Sequence, residues 1–189
     1  MKQFVIASVV GAILVFVFQA LSWMVLPIHT DSMRYTPAQD SLLSMMSRHL
    51  PADGVYALPF LPPEKMEDPD EQQKFSASTA GKPWALVQYH QASTEMSGGM
   101  LGMGFLLDFL AVALVVCLLG LAGPRLTTFG GRFLAVMAFA GFTVLQSDLM
   151  SWNWWSTPGH FLKGEVLDHL LAWAVCGVWL GWYLGRKKG

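Results

Sequence analysis

Five ionisable side chains, Asp108, Asp148, Glu165, Asp168 and His169, fall within or beside long apolar runs. A charge taken out of water must be paired, neutralised or used, so such groups in lipid-like surroundings are candidates for function. Glu165 and His169 are spaced i, i+4 and share a helix face. Asp108 lies ~12 Å along a helix beginning near Met100, at about 1.5 Å per residue. Gly104, Asp108, Ala111 and Val115 share one face of that helix, and its small residues place Asp108 inside a bundle. A converging set of Asp108, Asp148, Asp168 and His169 can hold a cation, relay a proton or bind a polar headgroup. Carboxylates with an imidazole also suffice for a divalent metal, leaving the metal content open. The structural alternative places Glu165 and Asp168 in the first turn of a helix, where the macrodipole favours acids. His169 then hydrogen-bonds Asp108 or Asp148 and neutralises a buried charge.

Other chemistries find less support. A haem needs axial ligands within helices, and only His169 qualifies; His29, His49, His90 and His160 fall outside or at the interface. Met96, Met100 and Met103 recur at i, i+4 and i+7, a spacing that suits a soft metal but is also ordinary for a flexible core filler. Cys117 and Cys176 lie in the inner halves of two apolar runs and read as packing residues rather than a disulfide. There is no nucleophile elbow, phosphate-binding Gly-rich loop or zinc-protease helix. No cofactor is predicted, and the absence of a catalytic motif argues against an enzyme.

The elements that must position these residues follow from composition. The chain has 189 residues, 53% hydrophobic and 13% charged, and a mean hydropathy of +0.43. Soluble domains carry about 25% charged residues. Twelve Lys and Arg against 13 Asp and Glu leave no basic excess for a nucleic acid. Four runs approach the ~20 apolar residues that a spanning helix needs: 4–26, 100–122, 133–150 and 166–184. The first is too long for a cleaved leader's apolar core and lacks a small-x-small site, so it reads as a retained signal anchor.

Charge sets the orientation. Lys2, Arg125, Arg132, Arg186, Lys187 and Lys188 flank the four runs on one side, with no acid among them. The positive-inside rule therefore expects cytoplasmic termini and a bacterial inner-membrane, multi-pass protein. Trp23, Trp152, Trp154 and Trp155 would sit at the outer interface, with Trp182 and Tyr183 at the inner one.

The expected architecture is a mainly α membrane protein: four transmembrane helices and a small α+β extracytoplasmic domain over 27–99, between the first and second. Thr36-Pro37-Ala38-Gln39 reads as a capped helix start, with Leu42, Leu43, Met45, Met46 and Leu50 presented before a stop at Pro51. Val55–Leu58 and Trp84–His90 read as strands able to pair, and Glu64–Lys74 as a brief helix. The domain has no Cys, and its nine acids outnumber five cations, so it presents a solvated surface or a face for a basic partner. At this size a lone core is marginal, and packing on the membrane helices or a partner must supply the remainder.

Gly177, Gly181 and Gly185 form a small-residue ridge on the last helix, and Ala7 and Gly11 a shorter one on the first. Such ridges serve close helix packing, within the chain or with another subunit. Gly81-Lys82-Pro83-Trp84-Ala85, Tyr89-His90 and Trp152-Asn153-Trp154-Trp155 resemble segments of an uncharacterised bacterial four-helix inner-membrane protein family of unknown function. That resemblance implies topology alone and carries no site residues. The leading functional expectation is a non-enzymatic accessory, assembly or scaffold subunit, whose partners are the bilayer and other membrane-protein subunits. The competing one is a small carrier that handles protons or cations through the Asp/His cluster.

Overall fold

The computed structural model describes residues 1–186. Lys187 and Lys188, part of the charge argument above, lie outside the described residues. Met1–Arg34 with the chain from Met96 onward form one compact unit, and Tyr35–Glu95 form another.

The first unit is a helical bundle. Helix α1 spans Lys2–Met24 and α4 spans Gly98–Ala122, capped by Ser97, whose hydroxyl accepts from the Met100 N–H. Helix α5, Phe129–Thr143, is capped by Thr128 and runs on through a π-helical segment, Val144–Leu149, into α6, Met150–Trp155. The last helix, α7, spans Gly159–Tyr183. These form four helices long and apolar enough to cross a membrane: Lys2–Met24, Gly98–Arg125, Phe129–Trp155 and Gly159–Tyr183. Their outward faces are rich in Val, Leu and Trp, as lipid-facing surfaces require.

The third helix is longer than the apolar run 133–150: the Thr128 cap starts it at Phe129, and it continues beyond the π-helical segment to Trp155. The fourth begins at Gly159, well before 166. Glu165 and Asp168 are consequently not in its first turn, which holds no acid. The macrodipole explanation for these acids therefore fails. Of the face expected on α4, Val115 is buried and Gly104 and Asp108 are half-buried, whereas Ala111 is exposed; Val112, Val116 and Leu119 are buried beside it.

Helix α1 packs on α4 and α7, and α5 packs chiefly on α7. The core joins Ala7, Val15, Val112, Val116, Val136, Ala172, Cys176 and Leu180. The glycine ridge of α7 lies against α5: a Cβ on Gly177 would come 3.1 Å from Phe133, and one on Gly181 3.0 Å from Phe129. Gly11 marks the tightest approach of α1, where a Cβ would stand 2.7 Å from Val112 Cγ1 and 3.2 Å from Cys176 Sγ. A Cβ at Gly11 would force Val112 to shift, and at Gly177 and Gly181 it would press on the phenylalanine rings; hydrogen at these positions lets the backbones approach and gain dispersion contacts.

In the second unit, strand β1 (Gly54–Leu58) pairs antiparallel with β2 (Ala85–Tyr89), in a register setting Tyr56 opposite Val87. Helix α2 spans Gln39–His49 with Ala38 as its N-cap; the Thr36 hydroxyl accepts from the Ala38 N–H in a preceding turn, so the helix begins later than the expected cap. Helix α3 spans Pro69–Thr79 rather than 64–74, because Asp68 caps it by accepting from the Asp70 and Glu71 N–H groups. Proline at its first position suits the start. The buried hydrophobics of this unit are Leu50 and Tyr89, while α2 and α3 bury none of their residues.

Candidate functional site

The bundle end opposite the termini gathers the acids and two histidines. Asp148, 5% exposed at its side chain, sits in the π-helical segment, and its Oδ2 lies 2.9 Å from His169 Nδ1 on α7. A π-helical turn rotates the residues after it relative to an α-helical register, and such turns recur at functional sites. Here it turns Asp148 inward to α7.

One turn away on the same face of α7, Glu165 lies within electrostatic reach of His29, His169, Asp148 and Asp168. Its Oε1 is 3.9 Å from His29 Nδ1, too long for a hydrogen bond but close enough for an ion pair when the imidazole is protonated. His29 follows α1 in a short turn closed by the Ser32 N–H donating to the His29 carbonyl. Its ring stacks on Trp23, with centroids 3.8 Å apart, and its Nδ1 is 3.2 Å from Ser32 Oγ. Its side chain is only 3% exposed. Gly164 permits this seat, because a Cβ there would stand 2.7 Å from Ser32 Oγ and 2.8 Å from His29 Nδ1.

Asp168, one turn after Gly164, is 7% exposed and within electrostatic reach of Asp108 on α4. Asp148, Glu165, Asp168 and His169 are therefore brought together, and Asp108 borders them through Asp168. Three buried polar atoms in this cluster have no hydrogen-bond partner: His29 Nε2, Glu165 Oε1 and Asp168 Oδ1. Each orphan costs about 1–3 kcal/mol unless a proton, water or ion satisfies it. Among the described residues no Lys or Arg pairs with any of the four acids, and no three His, Cys, Asp or Glu side chains meet at metal-binding distance.

Access is local. A small cavity of about 140 Å³ touches Asp148 and Glu165 and is walled by Ser147, Ser151, Thr157 and Phe161. It has room for ~4 waters at about 30 Å³ each. Ser151 and Thr157 share a 2.6 Å hydrogen bond at its rim. Toward Met1 the bundle interior is apolar: Val15, Val112, Val116, Ala172, Cys176 and Leu180 are all buried.

His29 is the member that sequence reasoning missed. In the sequence it falls outside the apolar spans and reads at most as a haem ligand, and a lone histidine after an apolar run has no periodicity to mark it. Trp23 ahead of it and Ser32 behind were the available hints. Met96, Met100 and Met103 are all exposed. Cys117 is exposed and Cys176 buried, and neither forms a disulfide. Compared with known protein families, with characterised proteins and with solved structures, the chain matches none.

Proposed function

We propose that this chain is a small carrier that handles protons or cations in a bacterial inner membrane, crossing it four times with both termini in the cytoplasm. One observation carries the reading. Four acids gather at one end of an apolar bundle, among the described residues no Lys or Arg pairs with them, and three of the cluster's buried polar atoms lack partners. Buried carboxylates without a fixed cation must be balanced by protons or by mobile cations. The small polar cavity supplies access from one end, and the apolar core closes the other, as one state of an alternating carrier requires. Arg132 and the turn 123–127 share a cavity with Met1 and Gly185, so the charged turn lies at the same end of the bundle as the start of α1 and the end of α7, which by the positive-inside rule supports a cytoplasmic reading of that end.

The test is proton flux into liposomes holding the purified protein and a trapped pH-sensitive dye, driven by a potassium diffusion potential. The carrier reading expects flux several times that of protein-free vesicles, and a fall to that background in Glu165→Gln with folding retained. Background flux in the unaltered protein under potassium or sodium gradients alike would overturn it.

The subunit reading has its own support in the second unit. Leu42, Leu43, Met45, Val55, Phe60 and Trp84 are exposed there, while only Leu50 and Tyr89 are buried hydrophobics. Unpartnered apolar surface on so thin a core favours a protein partner. Native mass spectrometry after gentle extraction tests it. A stoichiometric hetero-complex supports the subunit, whereas the chain alone or as a homo-oligomer counts against it.

A further inference from the structure

At the end of the bundle where the termini lie, Arg132 occupies an unusual position. It sits near the start of α5, and its residue is only 8% exposed. Its Nε donates to the Gly181 carbonyl at 3.0 Å, and its Nη1 donates to the Leu126 and Thr127 carbonyls at 2.9 Å each. Carbonyl oxygens solvate a guanidinium but do not neutralise it, and arginine does not lose its proton in proteins. Among the described residues no carboxylate pairs with Arg132, and its Nη2 packs against Gly185. This buried charge thus has no counter-charge among the described residues, and such a charge favours an anion beside it.

The space for one lies beside it. Helices α4 and α5 touch little, since α1 packs on α4 and α7 while α5 packs on α7. The gap at this end is a cavity of about 510 Å³ that Arg132 lines. Gln3 and Thr127 add polar groups, and Phe4, Val116 and Leu119 add an apolar wall. No acid lines it. The volume is roughly seventeen times the ~30 Å³ share of one water, far beyond what one inorganic phosphate fills. A cationic head with an apolar wall at the mouth of a helix bundle matches a lipid's phosphate and the glycerol and first methylenes below it.

From this geometry we infer a binding site for the headgroup phosphate of one anionic phospholipid, held by Arg132 in the cavity bounded by α1, α4 and the 123–127 turn. The inference rests on the membrane reading but not on carrier activity, so the two can fail separately.

Native mass spectrometry of the full chain, with dioleoyl phosphatidylglycerol, dioleoyl phosphatidylcholine or inorganic phosphate added to the detergent solution, tests it. The expected result is one phosphatidylglycerol retained per chain, preferred over phosphatidylcholine by about tenfold: both carry the phosphate, but the trimethylammonium of phosphatidylcholine would stand near the buried guanidinium, and a repulsion of ~1.4 kcal/mol supplies that factor. Arg132→Gln should remove that preference. Because Arg132 also ties α5 to α7, a second variant keeps it in place. Gly120 lines the cavity and a Cβ there meets nothing within 4 Å, so Gly120→Phe fills the space without a clash at Cβ and should lose the lipid while staying folded. Equal retention of the two lipids, or unchanged retention in Gly120→Phe, overturns the site. Displacement of the lipid by millimolar inorganic phosphate overturns the lipid assignment and leaves a plain phosphate site.

Discussion

The Asp148–His169 contact supplies the sharpest energetic prediction. The two atoms are 2.9 Å apart, with Asp148 5% and His169 25% exposed at their side chains. A hydrogen bond to a charged group contributes about 1.5–3 kcal/mol, and breaking a fully buried pair costs about 3–5 kcal/mol. The partial exposure of His169 screens the interaction, so its coupling should fall to ~1–2 kcal/mol. A double-mutant cycle with Asp148→Asn and His169→Gln isolates that quantity, because each substitution keeps a polar side chain of similar size. Unfolding by titration with a denaturing detergent in mixed micelles gives the four stabilities. The prediction is that either single change removes most of what the pair contributes, and that the second change then costs little more. Single effects that add to within ~0.5 kcal/mol would show the two residues to be independent and refute the pairing.

Three further outcomes follow from the packing and the charges. Gly164→Ala forces a Cβ to within 2.7 Å of Ser32 Oγ and 2.8 Å of His29 Nδ1, so thermal unfolding in micelles should show a loss of ~1–3 kcal/mol from overpacking; unchanged stability would mean that the His29 turn does not seat on α7. Gly11→Ala meets Val112 Cγ1 at 2.7 Å where α1 crosses α4 and α7, and should cost a similar ~1–3 kcal/mol in the same assay, whereas Gly102→Ala, open on all sides, should not destabilise. In the second unit, Asp53 accepts from the Gln91 N–H at 2.9 Å and contacts His90 at 3.1 Å, and these bonds hold its carboxyl below the ordinary value. A depressed folded value means that the clasp contributes above the unfolded carboxyl range, about 3.9, and is lost as pH falls through the folded value. The Gln91 amide resonance of the full chain should therefore move as pH falls below about 4, and in Asp53→Asn that movement below about 4 should vanish.

Much of the fold is legible in the chain because its largest energetic term is crude. Long apolar runs must be helical in lipid, where every backbone group needs an internal partner. The two short strands are legible from Asp53-Gly54 and Gly81-Lys82-Pro83 punctuating apolar alternation. Less visible are features decided by register. The π-helical segment at 144–149 has no compositional mark, yet it determines where Asp148 points. The polar stretch from Gly159 to Glu165 hid the true start of α7, although Pro158 stands at its N-cap. Missing that start gave Glu165 and Asp168 a dipole explanation they do not have. His29 meets Glu165 only through tertiary folding, which no local spacing reveals. Arg132 reads in the sequence as a flanking charge, and only the fold shows it buried on three carbonyls.

The central claim is that the acids around His29 and His169 form a site that takes up protons or cations. Infrared spectroscopy of the reconstituted protein reads this directly, because a protonated carboxyl in an apolar setting has a carbonyl stretch separate from that of a carboxylate. Titrating the bulk pH should make such a band rise and fall reversibly. Asp168→Asn and Glu165→Gln should each remove part of it, and replacing sodium by a divalent cation should shift it if cations compete for the same oxygens. A spectrum in which no carboxyl band changes with pH or with cation, in a protein shown by circular dichroism to be folded, would contradict the account.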